Sequence, residues 1–256
     1  MRRLLFVLLI AGCARHDELQ IAAAASLQDA LREVAAKYPG RITFVFGASN
    51  ILAQQIRAGA PVDVFLSADE ATMNKIADLV ATRQDLLSNE LVVVSREPLR
   101  DLLGVQRLAL GDPSAVPAGV YAREYFQQHG LWEALRPKVI PMDNVRAALA
   151  AADNGSVDAA VVYRTDALLA KRARVTMTLR GPVIRYPVAI LRGAKRPDAA
   201  RRFVDYLASP SAAAVFRRFG FGTLPSPAAS RHPLPQAGEG LSIEIPRPAS
   251  AGRGWP

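Results

Sequence analysis

Apolar and polar residues follow two different periods along this chain. Short apolar runs such as LQIAAAA (19–25) are typical of buried strands. The segment 27–38 that follows places Leu27 and Leu31 at helical spacing, with polar residues between them. The same alternation of strand and helix continues to about residue 224. It predicts βαβ units, with mostly parallel sheets that helices cover on both faces.

The predicted elements fall into two consecutive sets, which favours two lobes with a cleft between them. The body of 18–224 is long for one sheet and natural for two lobes. The chain would cross between the lobes twice, so we expect the hinge near 91–96 and 184–190. The predicted boundaries are 18–91 plus 190–224 for lobe 1 and 92–189 for lobe 2.

The two ends of the chain differ from this body. Residues 1–13 (MRRLLFVLLIAGC) combine two arginines with a short apolar run, which is typical of an export signal. The last four of these residues resemble a lipobox, so Cys13 is a lipidation candidate; an ordinary signal peptide with an incidental cysteine is the alternative. Residues 225–256 are rich in proline and glycine and predict a disordered tail. An accidental extension of the reading frame would also explain them.

Composition excludes several classes of function. Half of the 256 residues are hydrophobic and 21% are charged, as in a folded globular protein. The net charge of +9 comes from scattered basic residues that do not interleave with aromatic ones, which disfavours nucleic-acid binding. One cysteine permits neither an internal disulfide nor a cysteine metal cluster. The three histidines have no evident nucleophile partner, and a G-x-S-x-G elbow is missing, which disfavours an enzyme.

Two serines stand at strand-to-helix junctions close together. Ser26 lies in IAAAASLQDAL and Ser49 in FVFGASNILAQQI. Each could simply cap a helix, because a serine oxygen accepts a free backbone N–H. In open α/β sheets, however, ligands bind beyond the carboxyl ends of strands, where helix N-termini offer free N–H groups and positive potential. Two such junctions would form half of an oxyanion site.

The second set of elements offers matching groups. Small residues at 117–119 open a predicted helix and would let backbone N–H groups approach a ligand, although a proline-marked turn is the simpler explanation. Val145 lies in the first turn of another helix and could offer only its backbone. Asp143 or Asn144 would cap that helix. Tyr163 ends a predicted buried strand; it could be a core residue, or its phenol could donate into the cleft.

Eight segments, in order, carry a resemblance to a known family: AAASLQDAL, FGASNILAQQIRAGAPVDVFLSAD, LVVVS, LALGDPSAVPAGVYARE, DNVRAAL, VVYRTDA, YPVAIL and RRFGF. Over about 19–222 the chain resembles the molybdate-binding proteins of bacterial ABC importers. The resemblance implies a type II periplasmic-binding-protein fold. This is an α/β architecture of two lobes, each a mostly parallel sheet flanked by helices, with the ligand in the cleft between them.

The resemblance also implies a function and a site. The oxyanion would be held by two serine hydroxyls, two backbone groups and a tyrosine hydroxyl, namely those of Ser26, Ser49, Ala118, Val145 and Tyr163. No cofactor is expected, and molybdenum would enter only as molybdate, with tungstate as a further ligand. The protein would be a periplasmic monomer that delivers its ligand to a membrane permease and contacts the membrane only through a lipid on Cys13.

Three alternatives remain at this point. The ligand could be another tetrahedral oxyanion such as sulfate, the chain could be an enzyme on the same scaffold, or it could be the effector domain of a transcription regulator. If molybdate is the ligand, Ser49→Ala should weaken binding and leave the stability of the ligand-free protein nearly unchanged.

Overall fold

The computed structural model describes residues 18–224. The predicted export signal (1–13), Cys13 and the predicted tail (225–256) lie outside the described residues. The strands are β1 (Glu18–Ala24), β2 (Arg41–Gly47), β3 (Val64–Leu66), β4 (Val80–Ser95), β5 (Leu108–Gly111), β6 (Val139–Met142), β7 (Ala159–Tyr163), β8 (Arg174–Leu191) and β9 (Gly222–Thr223). The helices are α1 (Gln28–Ala35), α2 (Ser49–Arg57), α3 (Glu70–Asn74), α4 (Pro117–Gln128), α5 (Trp132–Leu135), α6 (Val145–Asn154), α7 (Arg164–Ala167), α8 (Pro197–Leu207) and α9 (Pro210–Arg218).

The strands form one mixed sheet in the order β2-β1-β3-β8-β4-β7-β5-β6, and β9 pairs with β4. We call β1–β3 the first half of the sheet and β5–β7 the second half. Within each half the pairings are parallel, as the alternating pattern predicts. The antiparallel pairings all involve β4 or β8, which lie in the centre.

Strands β4 and β8 are long and join the two halves. They pair along their whole length, from Val80 opposite Leu191 to Ser95 opposite Arg174. The ladder is irregular near its middle, where residues 180–183 of β8 stand opposite a single residue of β4. Nothing in the described structure fixes lobe boundaries, so the predicted hinge and lobes stay predictions.

The sequence pattern misassigned the segment before β4. It predicts a helix over 71–80, whereas α3 ends at Asn74, a short 3-10 turn spans Ala77–Leu79, and Val80 already begins β4. Residues 80–90 carry several charged side chains and have no clean period of two. Pairing with β8, a contact over a long sequence distance, therefore decides their conformation.

The core follows this topology. A large apolar cluster runs through both halves and includes Ile21, Leu31, Val161 and Phe203. A smaller cluster packs α2 and α3 against β3 through Leu52, Ile56, Phe65 and Met73.

Within the described range, no helix has both the length and the apolar character that crossing a bilayer requires.

The parallel register brings the strand-to-helix junctions together. Ala24 at the end of β1 lies opposite Gly47 at the end of β2, so the turns that follow both strands leave the same edge of the sheet. In the second half, Gly111 at the end of β5 lies opposite Met142 at the end of β6. Helices α4 and α6 therefore also begin side by side.

Candidate functional site

All the predicted oxyanion-binding residues line one small cavity between the two halves of the sheet. The part of the cavity that is open to the centre of a water-sized sphere is about 20 Å³. The five predicted residues are buried there, with exposures of 4% or less. The structure thus brings together all of the predicted set: Ser26, Ser49, Ala118, Val145 and Tyr163.

Neither serine caps a helix, so the simpler interpretation of these residues is wrong. Ser26 lies inside the 3-10 turn Ala25–Leu27, and Ser49 is the first residue of α2; neither helix start receives a side-chain cap. The Ser26 hydroxyl instead forms a hydrogen bond of 3.1 Å with the hydroxyl of Tyr186. The Ser49 oxygen accepts a hydrogen bond of 2.9 Å from the backbone N–H of Ala68.

Helix α4 presents its first turn to the cavity at very close range. It begins at Pro117, which has no N–H to leave unsatisfied. A Cβ on Gly119 would lie 1.8 Å from the carbonyl oxygen of Gly111, so glycine is required there for the helix to pack directly on the end of β5. This contact places Ala118, with 2% of its surface exposed, on the cavity wall.

Helix α6 leaves its first N–H group available. Asn144 caps the helix, as one of the two predicted alternatives states, and its side-chain oxygen accepts hydrogen bonds from the N–H groups of Arg146 (2.9 Å) and Ala147 (3.0 Å). The cap does not use the N–H of Val145. This residue lines the cavity, so its backbone can serve a ligand there, and the N-terminus of the helix adds positive potential.

Tyr163 supplies a hydroxyl without a partner. It is the last residue of β7 and is 1% exposed, and its ring packs edge to face against that of Tyr186 at 5.6 Å. Its hydroxyl has no hydrogen-bond partner within the described residues. Burial raises the pKa of this hydroxyl well above its ordinary value of 10.0, so it keeps its proton and can donate. Such an orphaned buried donor next to a cavity points to a ligand that accepts hydrogen bonds.

The cavity wall carries no charged side chain among the residues described here. One network of charged side chains lies beside it, in which the Arg146 guanidinium pairs with Asp29 (2.8 Å) and with the fully buried Asp166. Arg146 also donates to the carbonyl oxygen of Ser26 at 3.4 Å, so it bridges α6 and the turn after β1. Burial raises the pKa of Asp166 to about 6, although the nearby arginine opposes this shift.

The described part of the chain contains no cluster of histidine, cysteine or carboxylate side chains able to hold a metal ion. What surrounds the cavity is a set of neutral hydrogen-bond donors and helix N-termini. That set suits a small anion with several acceptor oxygens.

Sequence reasoning missed two polar residues behind Ser26. Tyr186 lies in β8, where the proline that follows it predicts only a rigid hinge element or an edge strand, and Asn89 lies in the part of β4 that has no clear pattern. The Asn89 side-chain amide contacts the Tyr186 hydroxyl at 3.2 Å. No local pattern signals this contact, because the two residues are far apart in sequence.

Comparison with known proteins shows which family this chain resembles. Residues 19–222 match the family model of bacterial extracellular solute-binding proteins. The molybdate-binding protein ModA of Escherichia coli is 38% identical over 83% of this chain and 92% of its own length. ModA of Haemophilus influenzae is 31% identical over 84% of this chain and 95% of its own.

A solved structure shows the same fold. The periplasmic molybdate-binding protein of Azotobacter vinelandii superposes with a TM-score of 0.72 over 81% of this chain and all of that one, at 22% identity. The predicted α/β class with the two-lobed binding-protein fold is therefore confirmed. The match also agrees with the prediction of a binding protein rather than an enzyme. The chain belongs to the family of bacterial extracellular solute-binding proteins.

Proposed function

We propose that this protein is the substrate-binding component of a bacterial ABC importer and that its ligand is molybdate, with tungstate as a second ligand. The observation that carries the proposal is the cavity itself, where buried and uncharged donors from both halves of the sheet converge. The relatives reported above that are named for molybdate binding support the choice of ligand.

The donor set fits the chemistry of a tetrahedral dianion. Burying such an ion is costly unless several hydrogen bonds replace its hydration. The hydroxyls of Ser26, Ser49 and Tyr163 and the backbone at Ala118 and Val145 could each direct a dipole at an oxygen atom. Neutral donors of this kind need acceptors, so a fully deprotonated oxyanion binds best. Sulfate has the same charge and shape and should be rejected because it is smaller.

The ligand would hold the two halves of the molecule together. Ser26 and Ser49 follow strands of the first half, whereas Ala118, Val145 and Tyr163 belong to the second. Only a closed arrangement lets all five groups contact one ion, so bound ligand shifts the equilibrium toward that arrangement. The closed form then delivers its ligand to the membrane permease.

Location and assembly complete the proposal. The family is extracellular, which agrees with a periplasmic site of action. We propose further that a lipid on Cys13 anchors the protein, that it acts as a monomer, and that it needs no cofactor.

A calorimetric titration of the ligand-free protein with molybdate, tungstate and sulfate tests the function. Molybdate and tungstate should bind at one site per chain and sulfate much more weakly. Tyr206→Phe, far from the cavity, is a suitable control because Tyr206 packs against Tyr38 instead. Sulfate binding as tight as molybdate binding would contradict the choice of ligand.

A further inference from the structure

A line of buried polar groups leads away from the cavity behind Ser26. The Ser26 hydroxyl contacts the Tyr186 hydroxyl at 3.1 Å, and the Tyr186 hydroxyl contacts the Asn89 side-chain nitrogen at 3.2 Å. The three residues are 3%, 1% and 8% exposed, respectively. Such groups exchange few hydrogen bonds with water, so their mutual hydrogen bonds determine where each proton lies.

The orientation of the Asn89 amide is fixed by its neighbours. Its oxygen accepts a hydrogen bond of 3.0 Å from the backbone N–H of Glu90, which can only donate. Its nitrogen therefore points the other way and donates to both Tyr186 and the hydroxyl of Thr165, the latter at 2.9 Å. Each of the two amide hydrogens has an acceptor.

The direction of the remaining bond follows. Because the Tyr186 oxygen accepts from Asn89, its single proton is free to point at Ser26. Burial raises the pKa of the Tyr186 hydroxyl well above 10.0, so that proton stays in place. The Ser26 oxygen accepts it, and the Ser26 proton is left to point into the cavity.

The hydroxyl of Ser49 is oriented by a single hydrogen bond from the backbone. The backbone N–H of Ala68 donates to its oxygen at 2.9 Å, so its proton is also left for the cavity. A serine hydroxyl normally rotates and can either donate or accept. Here the hydrogen bond that each serine oxygen accepts leaves the serine proton free for a ligand.

We propose that Asn89 and Tyr186 are positioning residues that keep the Ser26 proton available to the ligand and thereby favour oxyanions without a proton over those that carry one. The inference rests on the proposed function, since it requires an oxyanion in the cavity. A ligand oxygen that bears hydrogen would meet the Ser26 proton and lose a hydrogen bond, leaving buried donors unpaired. The hydrogen bonds from Asn89 through Tyr186 to Ser26, which we call the relay, would then contribute selectivity by protonation state, in addition to the selectivity by size that the cavity walls provide.

A comparison of sulfate with hydrogenphosphate separates the effect of a proton on the ligand from the effect of ligand size. In mildly alkaline buffer both are tetrahedral dianions of similar dimensions, and they differ by one proton. Their dissociation constants can be measured by competition against molybdate. The ratio of the two constants then reports how the site treats that proton, and a general loss of packing would not shift it.

The substitution Asn89→Asp reverses the direction of the hydrogen bonds in the relay and leaves the shape of the side chain almost unchanged. A carboxylate can only accept, so the Tyr186 proton turns toward residue 89 and the Tyr186 oxygen becomes an acceptor for the Ser26 proton. Ser26 then presents lone pairs to the cavity. We expect the preference for sulfate over hydrogenphosphate to fall by about tenfold or more. Tyr186→Phe only releases Ser26 to rotate, so we expect a smaller fall in the same direction.

Controls separate this inference from the proposed function. Tyr206→Phe, outside the cavity, should keep the wild-type ratio, and thermal unfolding of each variant reports whether it folds. If Asn89→Asp fails to fold, Tyr186→Phe alone decides. Wild-type ratios in the folded relay variants would overturn the relay while molybdate binding stands. Failure of the wild-type protein to bind any of the oxyanions would instead reject the proposed function, and the relay with it.

Discussion

Replacing Ser49 or Ser26 by alanine should weaken oxyanion binding to a similar degree but destabilise the ligand-free protein to different degrees. Each substitution removes one neutral donor aimed at a charged ligand. Hydrogen bonds to charged groups contribute about 1.5–3 kcal/mol, which corresponds to roughly a 10- to 100-fold rise in the dissociation constant. The two serines differ in what lies behind them.

The Ser49 hydroxyl is the hydrogen-bond acceptor for a backbone N–H group that is held in place by the fold. Its oxygen is the acceptor for the buried N–H of Ala68, and alanine at position 49 would leave that donor unpaired. An unsatisfied buried donor costs about 1–3 kcal/mol in the free energy of unfolding. This contact therefore corrects the expectation that Ser49→Ala leaves the stability of the ligand-free protein nearly unchanged.

Ser26→Ala should cost less than half as much. The partner of Ser26 is the Tyr186 hydroxyl, whose oxygen keeps its hydrogen bond from Asn89 and whose proton can rotate within the ring plane. Titration calorimetry gives the affinities, and urea denaturation of the dialysed proteins gives the stabilities. Ser211→Ala, on the exposed surface of α9, serves as the serine control for affinity, and its own stability is measured because its hydroxyl contacts the capping Ser209 at 2.9 Å. Equal losses of stability for the two cavity variants would refute this reasoning.

Four further outcomes are expected. Tyr163→Phe should lower molybdate affinity about tenfold in calorimetry without lowering the melting temperature, because the lost hydroxyl has no partner within the described residues. Arg146→Met should lower the free energy of unfolding in urea at pH 7, because it leaves the buried Asp166 without its cation. Since the pKa of Asp166 is already about 6, protonation limits the loss to about 1–2 kcal/mol, and adding Asp166→Asn should recover most of it. The pKa of Asp166 rises on folding from 3.8 to about 6, so between these pH values the native state binds more protons than the unfolded state. The contribution of Asp166 to the free energy of unfolding should therefore decline as pH increases from 3.8 to about 6. Denaturation measured over this pH range should lose that dependence in Asp166→Asn. Gly119→Ala should reduce both the melting temperature and molybdate affinity, because its Cβ would overlap the Gly111 carbonyl and displace the start of α4.

The junctions that carry the site residues could be predicted from local rules, and the resemblance to the family selected Ala118, Val145 and Tyr163 among the residues there. A parallel register places the ends of β1 and β2 at one edge, so a serine in each following turn must lie near the other. The small residues that open α4 and the position of Val145 in the first turn of α6 follow from equally local signals. These rules give the location of each group but not its hydrogen-bond partner.

The partners could not be predicted because they come from distant parts of the chain. Ser26 contacts Tyr186, and Ser49 contacts the N–H of Ala68, through the packing of separate elements. The full length of the central strands was missed for the same reason: the pattern predicts strands only over 90–95 and 183–191. Residues 80–90 alternate poorly between buried and exposed, and their strand conformation depends on pairing with β8.

The shared central strands also determine how the molecule can be divided. Since β8 pairs with β3, β4 pairs with β7, and the two pair with each other, any truncation that isolates one half of the sheet cuts a central strand or strips it of its neighbour. The fragment would expose unpaired backbone along a broad apolar edge, which favours aggregation over refolding. We therefore expect each half to be insoluble when expressed alone, and insertion of a reporter to be tolerated in surface turns rather than anywhere along these two strands.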